Sequence, residues 1–137
     1  MAQALSALRP NGCQNARVPV PVIGVHHVSL QVEDLAAARQ FYGDVLGLLE
    51  IERPDFAVEG AWFQLGTSQL HLGVEDGHLA SVRQHFAVLV ADLDSAVATI
   101  EAHGVSVRKA GLTLPGAGYQ AFVRDPSGNL IDLNQPE

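Results

Sequence analysis

The sequence predicts an α+β fold of two βαβββ modules in tandem, with their sheets curved around a cleft. Three observations predict it. His27-Val28-Ser29-Leu30-Gln31-Val32-Glu33-Asp34-Leu35 is echoed 58 residues later by His85-Phe86-Ala87-Val88-Leu89-Val90-Ala91-Asp92-Leu93. Gln69-Leu70-His71-Leu72 is echoed at an offset of 61 by Leu130-Ile131-Asp132-Leu133. Within each copy the apolar period passes from two to helical spacing and back to two, the order strand, helix, strands. Two copies of a unit this long are too few for a solenoid. They read as two modules of one domain around a pseudo-twofold axis, with His27 and His85 at equivalent points.

The elements follow in order. Residues 1–21 read as a loosely ordered N-terminal extension, broken by Pro10, Pro19 and Pro21, with a short helix at Ala2–Leu8 and the single cysteine, Cys13, as an incidental thiol. The domain spans 22–136, with modules at about 22–78 and 83–136. From Val22 to Val32 residues alternate, which predicts a strand with Val28, Leu30 and Val32 on one face and His27, Ser29 and Gln31 on the other. Asp34 caps a helix whose buried stripe is Leu35, Ala38, Phe41, Tyr42 and Val45, and Gly47 follows its end. Leu48–Ile51 is a second strand. Ala61–Leu65 and Gln69–Val74 form a hairpin about Gly66-Thr67-Ser68. Asp76–Ser81 links the modules. His85–Val90 is then a strand, Asp92 caps a helix with Leu93, Ala96 and Ile100 inward, Gly104 ends it, and Val105–Lys109 is a strand. Lys109–Gly118 is a loop. Tyr119–Arg124 and Asn129–Asn134 form a hairpin about Asp125-Pro126-Ser127-Gly128.

Composition excludes several classes. With 8 basic against 15 acidic residues, the formal charge is −7. Such a chain, without a Lys/Arg cluster, lacks the electrostatic footprint for nucleic acid or an anionic membrane. No apolar run approaches a bilayer span, and the first residues do not form a secretory signal. One cysteine allows no internal disulfide and suits a reducing compartment, so a cytoplasmic location is expected. No nucleophile elbow, phosphate-binding glycine loop or dinucleotide fingerprint is present.

Alternation places His27, His71, His85 and Asp132 on the strand faces opposite the aliphatic residues. Asn134 shares the face of Asp132 as a pocket residue. His26 is expected toward the helix side, in ordinary strand-end packing. His78 reads as a loop residue, and His103 as a helix-end residue that suits the dipole. Trp62, Phe63, Tyr119 and Phe122 divide between core and cleft. Arg124 is a candidate for an anionic substrate group, although a solvated strand end is its simpler role. Glu75 is a candidate base, with a surface position favoured.

Taken in order, His26-His27-Val28-Ser29-Leu30, Asp34-Leu35, Phe41-Tyr42, Leu46-Gly47-Leu48, Gln69-Leu70-His71-Leu72, His85-Phe86-Ala87-Val88, Asp92-Leu93 and Asp125-Pro126-Ser127-Gly128-Asn129-Leu130-Ile131-Asp132 resemble the vicinal oxygen chelate superfamily, the glyoxalase, bleomycin-resistance and extradiol dioxygenase group. The similarity runs from about Val22 to Pro136. The resemblance implies metal ligands on the first and fourth strand of each module: His27, His71, His85 and Asp132. This chain departs from the family in having aspartate where the last ligand is most often glutamate, and His71 where glyoxalase I has glutamate.

Two imidazoles and a carboxylate suit a divalent Fe, Mn, Ni, Zn or Co ion. The resemblance thus implies a metal-dependent enzyme, a lyase, isomerase or dioxygenase, that binds a small molecule through vicinal oxygens, the two-histidine, one-carboxylate set leaning toward dioxygenase chemistry, with His71 as fourth ligand, as a catalytic base beside the ion or as a polar residue facing the cleft. The alternative is a metal-free protein that sequesters a small molecule, as bleomycin-resistance proteins do. A homodimer is also implied, with the modules paired within one chain or across two.

Overall fold

The computed structural model describes residues 19–137; the expected helix at Ala2–Leu8 and Cys13 lie outside them. The order of elements is β1 (His27–Val32), α1 (Leu35–Arg39) continued by a π-helical turn (Gln40–Val45), β2 (Glu50–Ile51), β3 (Gly60–Leu65), β4 (Ser68–Val74), β5 (His85–Leu89), α2 (Leu93–Ala102), β6 (Arg108–Lys109), β7 (Tyr119–Arg124) and β8 (Leu130–Gln135). The strands make two four-stranded sheets, ordered β1-β4-β3-β2 and β5-β8-β7-β6. In each, the first strand runs parallel to the fourth, and the other neighbours are antiparallel. The two βαβββ modules are as the repeat predicts.

The differences are at element ends. The first strand starts at His27, not Val22, because Val22, Ile23 and Val25 are exposed and have no ladder beside them. The second strands shrink to Glu50–Ile51 and Arg108–Lys109, each paired to its neighbour at only two positions. The first helix widens after Arg39: the Leu46 amide reaches back five residues to the Phe41 carbonyl at 2.9 Å. This wide turn lets two consecutive large rings, Phe41 and Tyr42, both enter the core. Both helix starts are capped as expected. Asp34 accepts from the Ala37 amide at 3.0 Å and Asp92 from the Ser95 amide at 2.6 Å. The bond from Ser95 holds the Asp92 carboxyl below its ordinary pKa.

Each sheet buries its helix-side face. Val32, Phe63, Leu70 and Leu72 pack with Ala38, Phe41 and Tyr42 in module 1; Val123, Ile131 and Leu133 pack with Leu93, Val97 and Ile100 in module 2. Val97 was absent from the expected inward set, although it stands at helical spacing from Leu93 and Ile100.

A polar lock joins the modules. The Tyr42 hydroxyl donates to Asp125 Oδ2 at 2.8 Å, both side chains being buried. Asp125 Oδ1 accepts the amides of Ser127 and Asn129 at 2.9 and 2.8 Å, which ties the tight turn after β7. Asn129 Nδ2 then reaches the Gln31 carbonyl at 2.8 Å, and Ser127 Oγ accepts the Glu33 amide at 2.9 Å. The lock thus attaches the turn of module 2 to the end of β1.

A candidate metal centre in two halves

On each sheet the face away from the helix carries the candidate residues in register rows. In module 1 one row is Ser29, His71, Trp62 and Ile51. His27 belongs to the adjacent row, opposite Gln69. In module 2 the equivalent row is Ala87, Asp132, Phe122 and Arg108, with His85 in the adjacent row opposite Leu130. The pseudo-twofold relation thus superposes His27 on His85 and His71 on Asp132, as the sequence repeat predicts.

The first half is a stack of rings. His71 lies flat on Trp62, with centroids 3.8 Å apart and planes 3° from parallel. His27 covers the other side of His71 at 4.2 Å. His71 Nε2 meets Gln69 Oε1 at 2.8 Å; an amide oxygen only accepts, so Nε2 carries the proton and Nδ1 keeps its lone pair. Burial, then the nearby charges of His27, His26 and Arg53, lower the His71 pKa. His71 is therefore a neutral imidazole near pH 7, the form that binds metal or accepts a proton.

His26 departs from expectation. It is exposed rather than packed on the helix side, and its Nδ1 lies 2.9 Å from His27 Nδ1. Its carbonyl accepts the Gln69 amide at 3.2 Å, but His26 precedes the first paired residue of the ladder, so its ring is not held to the helix side. Gln69 was missed as the residue that sets the His71 tautomer, although it alternates with His71 along one strand face.

The second half is built around a carboxylate. Asp132 is 2% exposed. Its Oδ2 accepts from Gln120 Nε2 at 2.7 Å, while Oδ1 is buried with no partner among the described residues. His85 Nδ1 donates to the Arg83 carbonyl at 2.8 Å, which leaves Nε2 as the available lone pair. Phe122 stands edge-on to His85 at 6.0 Å.

These donors fit a divalent cation. Each imidazole has one nitrogen held and one free, the usual arrangement for a metal-binding histidine. An orphaned carboxylate oxygen is the natural fourth group, since burying such an oxygen without a counter-charge is costly. The halves remain apart, however. Among the described residues of a single chain, no three His, Cys, Asp or Glu side chains gather closely enough to hold an ion.

The remaining candidates fall as follows. Asn134 donates to the Ala117 carbonyl at 3.0 Å. His78 binds Asn129 Oδ1 at 2.9 Å beside the lock, and His103 binds the Thr99 carbonyl at 2.9 Å at the end of α2. Glu75 is a surface group 3.7 Å from His78. Phe63 is core, Trp62 and Phe122 line the open faces, and Tyr119 is exposed. An apolar cavity of about 380 Å³ between the modules, lined by Val45, Leu65, Phe86, Val88 and Ile100, touches none of the four metal-ligand candidates.

Comparison with known proteins agrees with this architecture. A probable lactoylglutathione lyase of Vibrio cholerae is 30% identical over 121 residues, covering 80% of this chain and 88% of that protein. A glyoxalase family protein of Bacillus anthracis superposes with a TM-score of 0.80 at 27% identity, over 88% of this chain and all 100% of the other. A Listeria monocytogenes fosfomycin resistance protein, solved with Mn(II) and a dihydroxypropylphosphonic acid, shares the fold with a TM-score of 0.74 at 19% identity, covering 85% of this chain and 94% of that one. The profile of the Glyoxalase/Bleomycin resistance protein/Dioxygenase superfamily matches residues 24–133, and the chain belongs to that superfamily.

Proposed function

We propose that this chain is a metal-dependent enzyme that binds a small substrate through two neighbouring oxygens. The site is assembled in a homodimer, from His27 and His71 of one subunit with His85 and Asp132 of the partner subunit. The observation that carries this reading is Asp132 Oδ1, a buried carboxylate oxygen with no partner among the described residues. A bound divalent ion supplies a Lewis acid that polarises substrate oxygens. The chain's own residues do the rest. Gln69 and the Arg83 carbonyl orient the imidazoles, and His71 is either the fourth ligand or the base that takes a substrate proton at Nδ1. Trp62 and Phe122 provide apolar walls. Relatives named lactoylglutathione lyase favour lyase chemistry over oxygenation.

Metal content by plasma mass spectrometry, on anaerobically purified protein, tests the proposal. The wild type should hold about one ion per chain, since a twofold dimer has two equivalent sites. H27A, H85A and D132A should lose both ion and turnover, whereas H71Q with ion retained and turnover lost would make His71 the base. Full occupancy in H85A, or no uptake of Fe(II), Mn(II), Ni(II) or Zn(II) by the wild type, would reject the centre.

The parallel Trp62–His71 stack favours a second reading, a metal-free cleft that sequesters a flat small molecule. That reading predicts ligand binding unchanged by EDTA.

A further inference from the structure

We infer that the open face of module 2 carries an oxyanion subsite, formed by Arg108 and Arg124, that takes the acidic arm of a small substrate whose other end reaches His85 and Asp132. This inference rests on the reading of that face as substrate cleft, and it adds the substrate class: a small acid.

The argument starts from a broken symmetry. Ile51 pairs with Trp62 in module 1 as Arg108 pairs with Phe122 in module 2. Gln64 pairs with Gln69 as Arg124 pairs with Leu130. At two equivalent points an uncharged residue in one module is thus an arginine in the other. Both arginines share the face of Asp132 and His85. Arg108 stands in the register row of Asp132 and Arg124 in the row of His85, each two strands across, roughly 10 Å at ordinary strand spacing. Phe122 and Leu130 lie between, as an apolar floor.

The cations also lack a charge partner. Arg39 pairs with Glu50 at 3.0 Å and Lys109 with Asp94 at 2.6 Å, both away from this face. No carboxylate among the described residues pairs with Arg108 or Arg124. Two unpaired cations close together repel each other, and the chain has only 8 basic residues against 15 acidic ones to distribute. Both are nevertheless held in place. Arg124 donates from Nη1 to the Gly128 carbonyl at 2.7 Å and from Nη2 to the Val82 carbonyl at 3.2 Å. The Arg108 guanidinium lies 4.7 Å above the centre of the Phe122 ring.

The two arginines line a cavity of about 510 Å³ with Phe122, Leu130 and Ser106, a volume that suits a small ligand. A guanidinium matches an oxyanion in charge and in the fork of its donors. The open-face strand rows of module 1 contain no Asp or Glu, so a partner module placed opposite brings no competing carboxylate from those rows.

Calorimetric titration of the full-length, EDTA-treated protein tests the subsite with three probes: glutarate, inorganic phosphate and the uncharged glutaramide. At least one of the two anions should bind, the stronger showing whether the arm is carboxylate or phosphate in type, and glutaramide should not. R108Q and R124Q should each weaken anion binding about tenfold or more while keeping wild-type melting and metal content. K109Q, on the opposite face, should leave it unchanged. Wild-type anion affinity in both arginine variants, or no preference for either anion over glutaramide, would overturn the subsite. Protein that binds glutarate through these arginines but takes up no metal would keep the subsite and reject the metal centre alone.

Discussion

At Asp132, stability and the proposed metal-binding role pull in opposite directions. One carboxylate oxygen is satisfied by Gln120 and the other is buried without a partner among the described residues. In the absence of a cation the fold therefore carries part of a carboxylate desolvation cost. D132N removes that charge and keeps an oxygen for Gln120. Metal-stripped D132N should be more stable than metal-stripped wild type by about 1 kcal/mol, while losing metal uptake. Urea unfolding in EDTA measures the first and metal analysis the second; an equal or lower stability in D132N would reject the account. Tyr42 is the opposite case, a buried polar group fully used. Burial, and next the Asp125 carboxylate, raise its pKa well above the ordinary phenol value. A raised folded pKa means that the stabilisation is complete below the unfolded pKa of about 10 and declines as pH rises above it. Y42F should cost about 1–3 kcal/mol at pH 7, from the lost hydrogen bond to a buried charge. It should also flatten the fall in unfolding free energy between about pH 9.5 and 11; the same slope in both proteins would remove Tyr42 from the alkaline transition. Asp132 was legible from its strand face and its place in the repeat. The Tyr42–Asp125 bond was not, because it spans 83 positions of chain and follows no period.

Among the elements, period two was a sound guide wherever a strand has a neighbour on each side. β4 lies between β1 and β3, so its alternation of Leu70 and Leu72 against His71 and Gly73 is fixed by ladders on both edges. β2 and β6 are outer strands that pair on one side only, and there the sequence overstated the length. The π-helical turn was equally hidden, since the stripe Leu35, Ala38, Phe41, Tyr42, Val45 satisfies ordinary helical spacing as well. Gly60 shows a constraint that patterning misses altogether. It faces Gly73 across the β3–β4 ladder, and a Cβ there would run into the Leu72 carbonyl, with the Arg53 side chain also within 3.2 Å. Backbone leaves no room to yield. G60A should therefore destabilise by about 1–3 kcal/mol, as overpacking does. G66A, at a turn with open space but φ of 58°, should act through backbone strain alone. Chemical denaturation compares the two, and a neutral G60A would mean that the ladder shifts freely at this point.

For the whole molecule, the repeat marks two equivalent candidate half-sites, but sequence alone could not decide whether one chain closes them on each other. The polar lock explains why that question needs three dimensions. Asp125, Ser127 and Asn129 fasten the turn of module 2 onto the end of β1, and this attachment sets how the modules sit. With that attachment, three donors do not meet among the described residues of one chain. A twofold dimer offers a second way to oppose module 1 to module 2, since each half-site then finds its complement on the other copy. Complementation distinguishes the two arrangements. H27A and H85A should each be inactive alone. If sites form across the dimer, a mixed dimer has one site carrying both lesions and one carrying neither. Unfolding and refolding an equal mixture makes half the dimers mixed, so about a quarter of wild-type metal sites and turnover should return. If each chain closes its own site, the mixture recovers nothing, because every site keeps a lesion. Recovery should also require subunit exchange: simple mixing of folded homodimers should begin near zero and rise only as fast as chains redistribute, followed by native mass spectrometry on differently tagged subunits. Activity that returns before any mixed dimer appears would exclude a shared site.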